Sequence, residues 1–164
     1  MNIFEFAMKM EEDGREYYLK NAEKTNLPEL KKVLTELADD ELKHYKIFKA
    51  LKDKEKAEYR EEEKTTILST TKNVFEALKS QGKEHVFGGE VRSIWETAMD
   101  IEIKSEKLYR DNANELDDTD QKEIFNKIAD EERRHQLVIE NVMEFLDRPT
   151  QWLENAEWHH LEDY

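Results

Sequence analysis

Four stretches of the chain repeat apolar residues at steps of three and four, the spacing that lines one face of an α-helix. Ile3, Ala7, Met10, Gly14, Tyr18 and Ala22 make the first stripe. Leu30, Val33, Leu34, Leu37, Ala38, Tyr45, Phe48 and Leu51 make the second. Ile94, Trp95, Ala98, Ile101, Tyr109, Ala113 and Leu116 make the third, and Phe125, Ile128, Ile139, Val142 and Leu146 the fourth and most regular. Asn26-Leu27-Pro28 separates the first two. Pro28 suits the first turn of a helix, where its missing N–H costs nothing. Asp117-Asp118-Thr119-Asp120 separates the last two and offers four candidate N-caps. Loops this short join antiparallel neighbours, so the pattern predicts an all-α four-helix bundle of two antiparallel hairpins, about 2–52 and about 90–147.

Residues 53–89, between the hairpins, are too many for a turn. A charged run from Asp53 to Lys64 leads through Thr65-Thr66 into a weaker helical pattern (Leu68, Val74, Phe75, Leu78), then Gly82 and Gly88-Gly89. The segment reads as a crossover to the far side of the bundle. Pro149 closes the fourth helix. The tail, 148–164, carries Trp152, Leu153, Trp158 and Leu161. It predicts a short helix that either closes one end of the bundle or packs on another subunit, as in a homodimer. The 164 residues make one domain.

The hairpins resemble each other at a fixed offset of 91. Between residues 7–48 and 98–139, eleven of 42 positions are identical without a gap, including Glu11/Glu102, Tyr18/Tyr109, Glu41/Glu132 and His44/His135. Helical patterning accounts for coincident alanines; it does not account for coincident Glu, His and Tyr. Internal duplication does, as two halves of one bundle.

Polar residues interrupt each stripe near its middle. The second runs Leu34, Leu37, Glu41, His44, Phe48, and the fourth runs Ile128, Glu132, His135, Ile139. The first carries Glu11 between Ala7 and Gly14, and the third carries Glu102 between Ala98 and Ser105. Four carboxylates buried together are prohibitively unfavourable without compensation. No Lys or Arg in the stripes offers it. Two divalent cations would balance four carboxylates, and Glu-x-x-His sets both ligands on one helix face. The expected site is dinuclear, held by Glu11, Glu41, His44, Glu102, Glu132 and His135. Tyr18 and Tyr109 lie two turns beyond the single glutamates and suit either the apolar core or support of the ligands. Gly14 and Ser105 are small at equivalent places, for close helix packing or for room above the metals. His85, His159 and His160 lie outside the stripes and read as exposed.

Composition narrows the function further. The formal charge is −14, from 26 basic and 40 acidic residues, which repels nucleic acid and anionic membranes. Cysteine is absent. That excludes disulfides, a Cys nucleophile, a zinc finger and any thiolate-held iron centre. No apolar run approaches the length of a membrane span. The N-terminal MNIFEFAMKMEEDG turns acidic at once and lacks the basic start of a signal peptide, so a soluble, cytoplasmic protein is expected.

The constellation resembles the ferritin-like superfamily of di-iron carboxylate proteins, and within it the rubrerythrin-like group. The resemblance rests on Ala7 to Tyr18, Leu37 to His44, Ala98 to Tyr109 and Ile128 to His135. It implies that Glu11 and Glu102 are terminal ligands, that Glu41 and Glu132 bridge, that His44 and His135 each take one metal, and that Tyr18 and Tyr109 hydrogen-bond ligand carboxylates. It implies two iron ions, with manganese and zinc suited to the same donors. Rubrerythrins proper have a further carboxylate one turn from the third-helix Glu; here that place is Ser105, with Glu106 beside it at a different angle. They also usually carry a rubredoxin iron, which a chain without Cys lacks. The implied activity is reaction with dioxygen or hydrogen peroxide, with electrons from a separate donor protein. Iron oxidation for storage or buffering, and a structural dimetal bundle without turnover, are the alternatives.

Overall fold

The computed structural model describes residues 2–54, 65–81 and 87–154. Among the described residues six helices follow in order: α1 (Ile3–Lys24), α2 (Pro28–Lys52), α3 (Ile67–Gln81), α4 (Gly89–Glu115), α5 (Thr119–Asp147) and α6 (Pro149–Glu154). Among the described residues there is no strand.

The long helices begin where local chemistry says they should. The Asn2 side chain accepts the Glu5 N–H and caps α1, and Pro28 opens α2. Of the four candidate caps before α5, Asp118 is the one used, accepting the Gln121 N–H at 3.0 Å. α1 packs along α2 and α4 along α5, giving the two hairpins. Tyr17 of α1 reaches across them, its hydroxyl donating to the Ile94 carbonyl of α4 at 2.7 Å.

The core lies in two apolar clusters. Leu30, Leu34, Leu37, Trp95, Ile139 and Val142 belong to one, and Phe48, Leu51, Tyr109, Phe125 and Ile128 to the other. On α2 and α5 the Glu-x-x-His segments fall between the stretches that feed the two clusters. The polar residues are thus sealed at both ends by side chains whose burial stabilises the fold by roughly 1.5–3 kcal/mol each.

The duplication is visible in the burial pattern. Every buried residue of α1 (Ala7, Glu11, Gly14, Tyr18, Asn21, Ala22) has a buried counterpart 91 positions on in α4. The same holds from Val33 to Leu51 of α2 against α5.

The crossover contains α3, which buries Ile67, Thr71, Val74, Phe75 and Leu78 against α2, α5 and α6. Leu68, read as part of that face, is only partly buried. Side-chain bonds tie α3 to α2: Thr66 to Glu36 at 2.7 Å and Gln81 to Glu29 at 2.5 Å. The tail starts its helix at Pro149, and Trp152 and Leu153 are buried within the same chain. The Trp152 ring sits 4.4 Å from Phe75 and 6.2 Å from Phe145. Of the two expectations for this segment, it closes the bundle. Gly82, His85, Trp158, His159, His160, Leu161 and most of the charged run lie outside the described residues. Among the described residues, no helix is long and apolar enough to cross a membrane.

Candidate metal centre

The 3–4 periodicity aims one carboxylate from each long helix, and one imidazole from α2 and α5, at the bundle axis. All six expected ligands meet there, and each is at most 1 % exposed. Ligand atoms of Glu11, Glu41, His44 and Glu132 lie within 4.8 Å of one another. Those of Glu41, Glu102, Glu132 and His135 do the same. Glu41 and Glu132 belong to both sets. His44 Nδ1 is 2.9 Å from Glu132 Oε1 and 3.5 Å from Glu11 Oε1. His135 Nδ1 is 3.3 Å from Glu102 Oε1 and 3.5 Å from Glu41 Oε1. The two imidazoles are stacked, centroids 6.1 Å apart and planes 22° from parallel.

The tyrosines serve the carboxylates crosswise. Tyr18 of α1 donates to Glu102 Oε1 of α4 at 2.5 Å, and Tyr109 of α4 donates to Glu11 Oε1 of α1 at 2.7 Å. Burial, then the nearby carboxylate charges, raise both phenols well above their ordinary value, so they act as donors.

Two carboxylates were not expected. Asp40 and Glu131, each directly before a shared glutamate and 91 positions apart, are buried. Asp40 Oδ2 is 2.9 Å from His135 Nε2, and Glu131 Oε1 is 3.4 Å from His44 Nε2. Each imidazole has a carboxylate of the other hairpin behind it, hydrogen-bonded for His135 and at ion-pair distance for His44, with Nδ1 facing the shared glutamates. The signal in the sequence was an acid at both related positions, hidden because one is Asp and the other Glu.

Small residues shape the space. A Cβ on Gly14 would lie 3.0 Å from Glu41 Oε2, so glycine there leaves room for that carboxylate. Ser105, its counterpart on α4, is buried. Glu106 is turned aside: Gln136 donates to it at 2.8 Å and Arg110 pairs with it at 2.8 Å. It does not replace the missing carboxylate.

The electrostatics are those of crowded like charges relieved by imidazolium. Burial raises Glu41 and Glu132 well above the usual carboxylate range, and the surrounding glutamates raise them further. Burial alone would lower the histidines, but Glu11 beside His44 and Glu102 beside His135 lift both well above the ordinary value. Burial also pushes Glu102 up, yet the charge and hydrogen bond of His135 hold it below its ordinary value. Asp40 is likewise held low, against its burial, by the same imidazole and by Thr65. In the metal-free site the histidines are the groups that can take up the positive charge the apolar stripes lack.

Several acceptors stay without a hydrogen bond: Glu11 Oε2, Glu41 Oε1, Glu102 Oε2 and both oxygens of Glu132. Orphaned buried acceptors of this kind are costly. Their number, position and chemistry fit a pair of cations between the glutamates, with oxygen and imidazole donors suited to first-row divalent metals. A family model described as Rubrerythrin matches residues 2–143 and, overlapping them, residues 93–160. The chain belongs to the rubrerythrin family. All six converging Glu and His residues, both tyrosines and both backing carboxylates fall inside the longer match. Rubrerythrin membership and the buried Glu/His cluster together indicate a dimetal carboxylate site in a ferritin-like bundle. No curated protein and no solved structure matches the chain.

Proposed function

We propose that this rubrerythrin-family chain is a non-haem di-iron oxidoreductase acting on dioxygen or hydrogen peroxide, with its electrons delivered by a separate protein. The observation that carries the reading is the pair of four-ligand sets sharing Glu41 and Glu132. One metal would take Glu11 and His44, the other Glu102 and His135, with Glu41 and Glu132 between them. Bound iron supplies the electrons that reduce the oxidant by cycling between its ferrous and ferric states. These six side chains would hold each ion in a fixed place. Tyr18 and Tyr109 hold the single glutamates by one oxygen and leave the other free. Asp40 and Glu131 orient the imidazoles. The apolar clusters on either side exclude water.

The missing cysteine is the reason for assigning the electrons to a separate donor, since no thiolate-bound carrier exists in the chain. Ser105, standing where the additional carboxylate is expected, argues for slower peroxide chemistry than in rubrerythrins that have it.

The test is stopped-flow mixing of the anaerobic di-ferrous protein with oxidant, then donor addition and a count of oxidant consumed per chain. Turnover far beyond the iron present supports an oxidoreductase. Iron accumulation beyond two ions per chain favours storage. A chain isolated with zinc alone, or a ferrous spectrum unchanged in air over hours, overturns the reading in favour of a structural site.

A further inference from the structure

Thr65 lies outside the duplicated halves, on the crossover just before α3. It nevertheless touches the support of both imidazoles. Its hydroxyl donates to Asp40 Oδ2, the same oxygen that faces His135 Nε2 at 2.9 Å. Its backbone N–H donates to Glu131 Oε1 at 3.2 Å, the same oxygen that lies 3.4 Å from His44 Nε2. The Ile67 N–H donates to the Thr65 hydroxyl oxygen at 3.1 Å, which turns the hydroxyl proton toward Asp40. The chain of contacts runs His135–Asp40–Thr65–Glu131–His44, with one crossover residue at its centre.

We infer that Thr65 is a positioning residue that sets both metal-facing imidazoles at once, His135 through its hydroxyl and His44 through its main chain. A carboxylate behind an imidazole fixes the ring only if the carboxylate is itself fixed. Asp40 is short, and Lys43 Nζ lies 3.8 Å from its far oxygen, Oδ1, not from the one that faces His135. The Thr65 hydroxyl therefore holds the oxygen that matters. The two connections differ in kind, and this gives the inference its signature. Removing the hydroxyl releases Asp40 and His135, while the backbone N–H keeps Glu131 and His44. The crossover, elsewhere a packing element, becomes part of the metal centre through this residue.

The inference rests on the dimetal reading for its metal-binding consequence, and the experiment separates the two. Cobalt(II) is titrated into metal-free wild type, Thr65→Val and Thr65→Ser, with uptake followed by visible absorption. In wild type and Thr65→Ser, two ions bind with matching affinities. In Thr65→Val, one ion weakens about tenfold, the low end for loss of such outer support, and the other is unchanged. In parallel, nitrogen-15 spectra of the imidazoles are recorded on the same proteins without metal. Thr65→Val shifts the His135 Nε2 signal and speeds its proton exchange, leaves His44 in place, and Thr65→Ser restores the wild-type pattern. Fraying of α3 would instead disturb both halves together. Equal weakening of both ions, no weakening of either, or failure of Ser to restore them overturns the inference. If wild type takes up no cobalt, the dimetal reading fails, and the imidazole spectra alone decide whether Thr65 sets the rings; an unmoved His135 signal in Thr65→Val refutes it.

Discussion

Asp40 Oδ2 lies 2.9 Å from Nε2 of His135, a residue of the opposite hairpin. Glu131 and His44 repeat the relationship in reverse at 3.4 Å. Each half of the duplicated chain therefore completes the other half's site. A carboxylate accepts and never donates when ionised, so beside an ionised carboxylate Nε2 carries a proton, and a metal bound at the site would take Nδ1.

Asp40→Asn keeps the shape and removes the charge. It is expected to weaken the ion held by His135 by about 10–100-fold and to leave the other within a factor of a few. Stepwise metal titration measures this, and equal affinities for both ions would contradict it.

The shared glutamates should behave differently from the single ones. Glu41→Ala or Glu132→Ala is expected to lose both ions, because each residue belongs to both ligand sets. Glu11→Ala or Glu102→Ala should lose one. Metal analysis per chain after dialysis distinguishes these outcomes. Two retained ions in both shared-glutamate variants would rule out the ligand assignment.

Metal removal sets the sign of the pH dependence. In the metal-free protein Glu41 and Glu132 are raised above their ordinary 4.5, and His44 and His135 above 6.5. Groups with raised values stabilise the fold fully below the ordinary value, and that contribution is lost as pH rises through the folded one. Glu102 and Asp40, held low, act oppositely and lose their contribution only in stronger acid. Chelated protein should thus melt higher at about pH 6 than at about pH 8.5. Bound metal displaces the protons and reverses the trend, adding about 4 kcal/mol at a thousandfold excess over Kd. Calorimetry at the two pH values checks both signs; a flat profile for the chelated protein would refute the first.

Gly14→Ala puts helix propensity against the site. Alanine in a helix interior gains about 0.5–1 kcal/mol over glycine. Its Cβ would stand 3.0 Å from Glu41 Oε2, a side-chain end that can swing aside when no ion holds it. The metal-free variant should melt slightly higher than wild type while binding metal more weakly. Unchanged metal affinity would mean that glycine here serves helix packing alone.

Much of this was legible in one dimension. A 3.6-residue turn forces positions three and four apart onto one face, so Glu41 with His44 and Glu132 with His135 are core residues on any helix that buries its stripe. The offset of 91 then pairs the three positions of one half, Glu11, Glu41 and His44, with Glu102, Glu132 and His135 of the other. The loops, the helix start at Pro28, the four candidate caps at 117–120, and the exclusion of thiolate chemistry follow from residues next to one another or from residues absent.

What only the tertiary structure decided are contacts made between elements. Asp40 and Glu131 sit one position off the stripe, about 100° around the helix, where 40 acidic residues make any one of them look like solvent-facing charge. They are buried where Thr65 of the crossover and the imidazoles of the opposite hairpin meet them, which no local pattern encodes. The crosswise pairing of Tyr18 with Glu102 and Tyr109 with Glu11 depends on how α1 and α4 lie together. Thr65 was only a polar pair-mate before a weak helix until the crossover laid it between two carboxylates. Trp152 was undecided between its own bundle and another subunit until Phe75 and Phe145 were seen to enclose it. Periodicity specifies which face a residue occupies; what that face meets is set by packing between segments far apart in the chain.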